Sequence, residues 1–214
     1  MREAVQVGVF IDTRNHPLGN PIKQQLSFQE FARDYQGRFR AAVEGWDLVA
    51  LERIAGVLND ARARGATILI AGNGGSAAIA SHSECDLSKG THREGTAPLM
   101  SRSLSANTSI LTALGNDIGF DAVFEKQVEY FARPGDVLMV VSSSGNSPNV
   151  VRACRCAQER GLVTVALVGF EGGELKRLAD HVLHVPVKNY GIVEDLHQAT
   201  IHLVTQYLTS LPPA

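Results

Sequence analysis

Two short polar segments of the chain have the composition of anion-binding loops. Residues 72–76 are Gly-Asn-Gly-Gly-Ser, and residues 142–147 are Ser-Ser-Ser-Gly-Asn-Ser. Glycine lets the backbone turn tightly and approach a ligand closely, while serine hydroxyls supply donors that rotate toward phosphate oxygens. A helix that begins at such a turn adds free N–H groups and partial positive charge. Together the two segments predict a phosphate site.

The same segments do not match the familiar nucleotide-binding patterns. The sequence contains no G-x-x-x-x-G-K-[ST] run, and the glycines at 72, 74 and 75 lack the G-x-G-x-x-G spacing of a dinucleotide site. Residues 142–147 carry four serines at an expected helix start, where capping requires only one. A single glycine-rich turn is often no more than a turn, so the anion-binding interpretation depends on both segments.

Two pairs of ionisable residues have a spacing that favours a shared helix face. His82 and Asp86 are four residues apart on the helix expected after residues 72–76. On the last expected helix, Glu194 and His202 lie about 80° apart around the axis, and His197 could also converge with Glu194. A carboxylate and an imidazole suffice as general base and general acid. Taken singly, these residues are also typical of core or solvated positions, and His197 could instead pair with its neighbour at 195 or with solvent.

The composition of the chain is that of a soluble globular protein. Its 214 residues suit one domain, or one domain with a helical appendage, and 44% are hydrophobic and 20% charged. A net charge of −2 gives no indication of a basic surface that would bind nucleic acid. No run approaches the ~18 apolar residues that cross a bilayer, and three cysteines without paired spacing fit a reducing compartment. We therefore expect a cytoplasmic protein with no nucleic-acid or membrane partner.

Apolar periodicity divides the chain into helices and buried strands. Helical spacing predicts helices at 28–44 and 47–64, the second ending at Gly65, and a last helix at 192–211. Continuous apolar runs predict strands at 67–71, 137–141, 163–168 and 181–185, with a weaker one at 99–104. Strands that alternate with helices indicate an α/β fold with a parallel sheet buried on both faces. Residues 1–25 have no sustained period and predict an irregular N-terminal extension, which leaves 26–214 as the folded domain.

Three motifs in this order resemble the sugar isomerase (SIS) domain family, most closely its phosphoheptose isomerases. They are residues 71–78 (AGNGGSAA) followed by His82, residues 115–120 (GNDIGF) and residues 142–147 (SSSGNS), and the resemblance runs from about 28 to 208. It implies a three-layer fold with a mostly parallel five-stranded sheet, helices on both faces and N-terminal helices. It also implies a homotetramer with sites between subunits. The implied reaction interconverts sedoheptulose 7-phosphate and D-glycero-D-manno-heptose 7-phosphate through an enediol.

The resemblance also implies roles for individual residues. Asp86 is the expected catalytic base and His202 the partner acid–base. Zinc is expected among His82, Asp86, Glu194 and His202. The implied substrate-binding residues are Asn73, Gly74, Ser76, Asn116, Asp117, Ser142, Ser143, Ser144, Ser147 and Glu194, with the serines on the phosphate.

The chain departs from the family pattern at several of these places. Asp86 stands where the family has a longer glutamate, and Glu194 stands where it has a neutral glutamine. The added carboxylate strengthens a metal site but repels Asp86 when no metal is present. The family arginine that follows the base has no clear counterpart, with Lys89 the nearest cation. An aspartate expected before the final helix is also missing, near Gly191.

Two alternatives follow from the same resemblance. Members of the fold also serve as non-catalytic modules, either adaptors that bind the replication initiator or regulators that sense a sugar phosphate. Such a module need not keep ionisable groups at 86, 194 and 202, so their presence favours an enzyme or a metal site. The second alternative is isomerisation of a different sugar phosphate, which the changes at 86 and 194 would allow.

Overall fold

The computed structural model describes residues 27–211. In chain order the helices are α1 (Phe28–Glu44), α2 (Leu48–Arg64), α3 (Gly75–Cys85), α4 (Thr108–Asp117), α5 (Val123–Phe131), α6 (Pro148–Glu159), α7 (Leu175–Leu178) and α8 (Tyr190–Ser210). The strands are β1 (Thr67–Gly72), β2 (Met100–Ser103), β3 (Val137–Ser142), β4 (Val163–Val168) and β5 (His181–His184). The extension predicted for residues 1–25 lies outside the described residues. Within residues 27–211, no helix combines the length and the apolar character that a membrane span requires.

All five strands form one parallel sheet in the order β2-β1-β3-β4-β5. This confirms the predicted α/β architecture, including the weaker strand expected at 99–104. From β1 the chain moves outward to β2 and then returns to add β3 on the other side of β1. The carboxyl ends of β1 and β3 therefore form the point where the strand order reverses, and ligands of open parallel sheets bind at such a point.

Side chains alternate along every strand and so point to both faces of the sheet. Helices cover each of these faces. Ile68, Ile70 and Met139 pack on one face with α2, α3 and α8. Leu69 and Leu138 point to the other face, where they pack with α4, α5 and α6. All five side chains are fully buried. Three layers result, as predicted, and burial on both sides explains why the strands are continuous apolar runs in the sequence.

Capping residues determine where the first two helices begin and end. Ser27 and Glu30 form a reciprocal capping box at the start of α1. Asp47 caps α2 by accepting a hydrogen bond from the amide of Ala50 at 2.9 Å, and Gly65 ends α2 in the left-handed conformation with a φ of 65°. The bounds predicted for both helices agree with the structure to within one residue.

Three of the described helices, α4, α5 and α7, are not predicted by the apolar pattern of the sequence. Helix α4 buries only Leu114 and so carries no apolar stripe, while α7 has four residues, too few for a period to show. Helix α5 follows directly on a short 3-10 turn (Phe120–Ala122), which obscures its start. Because all three pack outside the sheet, they leave the predicted strand arrangement unchanged.

His197 belongs to the core. Its side chain is fully buried on α8, and neither ring nitrogen makes a hydrogen bond of ordinary length within the described residues. The interpretation of His197 as a partner of Asp195 or of solvent is therefore wrong, since residues two apart on a helix point about 200° away from each other. Burial lowers the pKa of the His197 imidazole to about 4, and the backbone of Val168 offsets only part of that effect.

We predict that His197 makes the folded protein less stable as the pH falls. An unfolded histidine takes up a proton near its ordinary pKa of about 6.5, whereas the folded form resists protonation down to about pH 4. Protonation of the unfolded state therefore costs no stability above pH 6.5. At pH 5 it lowers the free energy of unfolding by about 2 kcal/mol. Urea unfolding of the wild type and of His197→Leu, at one protein concentration, measures the difference. A difference that stays constant from pH 7.5 to pH 5 would contradict the prediction.

Candidate active site

The glycine-rich loop lies at the carboxyl end of β1. Strand β1 ends at Gly72, and α3 begins at Gly75 after Gly74, whose φ is 56°. No described side chain caps the start of α3, so the first N–H groups of this helix are available to an anion. Ser76 lies in the first turn of α3 and is buried at this edge of the sheet.

The serine-rich loop runs from the end of β3 into the start of α6. The Ser142 hydroxyl accepts a hydrogen bond from the Gly145 amide at 3.1 Å, and the Ser144 hydroxyl accepts one from the Asn146 amide at 3.3 Å. Ser147 directly precedes α6, but its side chain makes no capping hydrogen bond. Its hydroxyl and the first turn of α6 are therefore available to a ligand.

A neighbouring turn holds the serine-rich loop in place. The Ser143 carbonyl accepts a hydrogen bond from the Gly169 amide, and the Gly145 carbonyl accepts one from the Leu175 amide, both at 3.0 Å. Gly145 has a φ of 65°, and a side chain there would overlap the Gly172 carbonyl. Backbone thus packs directly on backbone. The Ser143 hydroxyl is shielded from solvent and has no partner among residues 27–211, so it is not presented at the open edge.

Asn73 joins the two loops to each other. Its amide nitrogen donates to Asn149 Oδ1 at 2.8 Å, and the Asn149 amide nitrogen donates back to Asn73 Oδ1 at 2.9 Å. Asn149 lies in the first turn of α6 and is only 2% exposed. The resemblance assigns Asn73 to the sugar, whereas the structure pairs it with a residue that sequence reasoning missed. No spacing rule connects residues 76 positions apart, so the sequence carried no signal for this contact.

Asn116 and Asp117 end α4 on the protein surface. The Asn116 amide donates a hydrogen bond to the Asp117 carboxylate at 2.8 Å, and both residues are exposed. Directly after them, residues 118–122 and Arg152 line an open hollow of about 400 Å³. The substrate contact implied for Asn116 and Asp117 stays a prediction.

Three ionisable side chains converge at the far end of α3: His82 from α3, Asp86 from the turn that follows it and His202 from α8. The Nε2 atoms of His82 and His202 are 3.0 Å apart. Asp86 Oδ2 lies 3.2 Å from the first of these atoms and 3.7 Å from the second. The imidazoles are 49% and 47% exposed, and the Asp86 side chain is 24% exposed. We call these three residues the His–Asp–His cluster. It is open enough for a ligand to reach.

The chain changes helix type at Asp86. Helix α3 ends at Cys85, and a π-helical turn (Asp86–Gly90) replaces the further stretch of α-helix expected from the sequence. Such turns are rare and frequently occur at functional sites. The Gly90 carbonyl accepts a hydrogen bond from the Thr209 hydroxyl at 3.4 Å. The turn is therefore docked on α8, the helix that carries His202.

The donor set of the His–Asp–His cluster fits a divalent metal ion. Tetrahedral zinc with bonds near 2.1 Å separates its ligand atoms by about 3.4 Å, close to the 3.0 to 3.7 Å observed here. These three donor atoms all lie within 4.8 Å of one another. Gln198 Nε2 is 3.0 Å from His202 Nε2. A rotation of the Gln198 side-chain amide by about 180° would therefore place its oxygen, instead of its nitrogen, beside the cluster. Sequence reasoning missed Gln198, although its spacing of four from His202 is the signal that could have found it.

Glu194 lies at the opposite end of α3 from this cluster. Its carboxylate rests on Gly75, where a Cβ atom would overlap it. Gly75 precedes His82 by seven residues, or about 10 Å of helix. The structure does not bring Glu194 to the cluster, and the metal role implied for it stays a prediction. Burial raises the pKa of the Glu194 carboxyl, and the charge of Asp195 adds to the effect.

Comparison with known proteins identifies the family to which this fold belongs. A family model described as SIS domain matches residues 30–169. The chain belongs to the SIS domain family. It is 42% identical to the phosphoheptose isomerase of Bradyrhizobium sp. (strain ORS 278) over 177 residues, which are 83% of this chain and 89% of that relative.

Solved structures agree with this SIS domain along most of its length. The phosphoheptose isomerase GmhA from Neisseria gonorrhoeae superposes with a TM-score of 0.80 at 33% identity, covering 86% of this chain and 100% of that chain. A phosphoheptose isomerase from Francisella tularensis gives a TM-score of 0.78 at 25% identity, with 87% and 100% covered. The predicted fold and family resemblance are confirmed.

We predict that the His–Asp–His cluster binds a divalent metal ion, with zinc as the probe. Removing His202 should weaken the affinity at least about 100-fold, because the loss of a mere outer partner of a metal ligand already costs 10- to 100-fold. Competition with a chromophoric chelator measures the affinity of the wild type and of His202→Ala. His92→Ala is the matched control, since His92 is exposed and lies outside the cluster. Equal affinities in the two variants would refute the site.

Proposed function

We propose that this SIS domain is an aldose–ketose isomerase that interconverts sedoheptulose 7-phosphate and D-glycero-D-manno-heptose 7-phosphate. The observation that carries the proposal is the position of α3, which starts at the phosphate-type crevice and ends in the His–Asp–His cluster. The two ends are separated by about 10 Å. A seven-carbon chain with a terminal phosphate is roughly as long, given bonds near 1.5 Å. The names of the relatives support the same substrate.

The residues of the two loops would bind the phosphate. Ser76 and Ser147 have hydroxyls without a hydrogen-bond partner among the described residues, and each lies in or directly before the first turn of a helix. The starts of α3 and α6 add N–H groups and positive partial charge. With the phosphate held there, the carbonyl end of the sugar would extend along α3 toward Asp86.

The cluster has the groups that the reaction needs. A base takes a proton from C1 of the ketose while an acid gives a proton to the oxygen on C2, which yields the enediol. The oxygen on C1 then loses its proton and C2 gains one, so the isomerisation requires no external oxidant or reductant. We assign Asp86 as the base and His202 as the acid–base that serves the two oxygens. Zinc, where His82, Asp86 and His202 hold it, would supply a Lewis acid that polarises the carbonyl in place of the proton from His202 Nε2, because a ring nitrogen bound to a metal has no proton to give. Asp86 would keep its second carboxylate oxygen, Oδ1, as the base.

We predict that Asp86→Asn and His202→Ala each lower the isomerisation rate by about 10²- to 10⁴-fold, the usual contribution of a positioned acid or base. Formation of the aldose from sedoheptulose 7-phosphate measures the rate. Asp86→Glu should retain activity because it keeps a carboxylate at this place. Asp60→Asn, an exposed aspartate on α2, is the control. Full activity in Asp86→Asn or His202→Ala would refute the role of that residue.

A panel of ketose phosphates tests the identity of the sugar separately. Sedoheptulose 7-phosphate should be converted faster than ribulose 5-phosphate or fructose 6-phosphate, because a shorter chain cannot span the crevice and the cluster together. Sedoheptulose without its phosphate should not be converted at a measurable rate. Turnover of only a shorter ketose phosphate would leave the isomerase assignment intact and overturn the substrate.

We also propose that the protein acts as a homotetramer, as the resemblance implies. Leu203 and Tyr207 lie four residues apart on α8 beside His202, and they are exposed despite their apolar character. A second copy of the chain over this face would bury them and shield the cluster from water, which strengthens its electrostatic interactions. The imidazoles of His82 and His202 are about half exposed in a single chain, so a second copy has room to cover them.

Substitution of a charge into this face should break the assembly. Leu203→Glu is expected to lower the mass of the protein in solution, because it places an unpaired carboxylate in an apolar interface. Light scattering coupled to gel filtration measures the mass. Glu52→Lys, at an exposed position on α2, should leave it unchanged. A wild type that is monomeric at all concentrations would end the proposal.

A further inference from the structure

Asn73 and Asn149 form an amide pair across the crevice between the two loops. Both hydrogen bonds have ordinary lengths of 2.8 and 2.9 Å. Each amide uses its oxygen and one N–H, so the pair is self-complementary. Since Asn149 is 2% exposed, water cannot readily replace Asn73 as its partner. Loss of Asn73 would leave the buried amide of Asn149 unpaired.

The sheet itself does not hold the two loops together. The register of β1 and β3 ends at the pair Gly72 and Val141. Beyond this point the chain enters α3 on one face of the sheet and α6 on the other, so the loops diverge. The hydroxyl of Ser105 bonds the amide and the carbonyl of Gly72, but it lies after β2, on the far side of β1 from β3.

Beyond the paired strand ends, and within residues 27–211, the Asn73–Asn149 pair makes the only hydrogen bonds between residues 73–76 and residues 143–149. These two segments contain the hydroxyls and helix starts that the proposed function assigns to one phosphate. Donors on both sides of the crevice can meet the same phosphate only when they are held about 2.7–3.2 Å from its oxygens. Some contact must therefore set the distance between the loops.

We propose that the Asn73–Asn149 pair is a positioning clamp that sets the width of the crevice for a terminal phosphate. The inference rests on the proposed function, because it takes both loops as one phosphate site. Asn149 acts on the ligand through Asn73 and through the start of α6. Asn73 commits its amide oxygen and one of its two N–H groups to Asn149, and through this contact it places the backbone of the glycine-rich loop.

A double-mutant cycle tests the clamp with inorganic phosphate as the probe. Asn73→Ala and Asn149→Ala are each expected to weaken phosphate binding about 10-fold, measured by calorimetry. The double variant should also be about 10-fold weaker rather than 100-fold, because the second change removes a partner that has already lost its contact. Asn149→Asp, which keeps the shape but cannot donate to Asn73 Oδ1, should weaken binding to a similar extent. In turnover, the same variants should raise KM with little change in kcat.

A control separates this role from general stability. Asp136 is buried at the amino end of β3 and accepts hydrogen bonds from the amides of Thr67 and Arg133. Asp136→Asn should lower the melting temperature while leaving phosphate affinity unchanged, because it lies at the opposite edge of the sheet. Variants of the amide pair that lower the melting temperature but bind phosphate like the wild type would overturn the clamp.

Two further outcomes are informative. Losses that multiply to about 100-fold in the double variant would show that the two asparagines act independently, which also overturns the clamp. Phosphate binding is measured without turnover, so the two proposals can fail separately. A protein that shows the expected coupling but isomerises no sugar phosphate would keep the clamp and lose the proposed reaction.

Discussion

The pairing of β1 with β3 determines where every candidate group of the site lies. These strands are neighbours in the middle of the sheet although β2 and the three helices α3, α4 and α5 separate them along the chain. Because the chain leaves β1 in one direction and β3 in the other, the loops at their carboxyl ends face each other and then part. Helix α3 follows the first loop and α6 follows the second. The crevice between them is thus a product of topology, and side chains only adjust its width and charge.

Helix α3 links the two kinds of chemistry in the site. Its N-terminus carries unpaired N–H groups and attracts anions, while its far end carries His82 and leads into the π-helical turn with Asp86. Glu194 adds a negative charge beside Gly75, where the helix start would otherwise be purely attractive to a phosphate. The raised pKa of Glu194 shows that burial penalises this charge. At the start of α3 the Glu194 carboxylate and a bound phosphate would therefore compete for the same positive partial charge. The end of the helix carries His82 and leads to Asp86, which are side chains of the metal-ligand type.

Much of the fold was accessible from the sequence, because burial on both sheet faces leaves a strong local signal. Four of the five strands appear as apolar runs and β2 only as a weaker candidate, and Gly65 marks the end of α2 through its own backbone preference. The site was only partly accessible. His82 and Asp86 are four apart, so their contact follows from helix geometry, and the approach of His202 follows from the family resemblance. The pairing of Asn73 with Asn149 and the burial of His197 depend on how distant elements pack, which no local pattern records.

The ligands of the His–Asp–His cluster come from widely separated parts of the chain, since His82 and His202 are 120 residues apart. During synthesis on the ribosome, both glycine- and serine-rich loops are complete long before α8 emerges. A growing chain can therefore build the crevice while it still offers a metal only two ligands on neighbouring turns. The third arrives when α8 docks against α3 and the π-helical turn. A metal ion would therefore meet all three donor atoms only after the fold is complete.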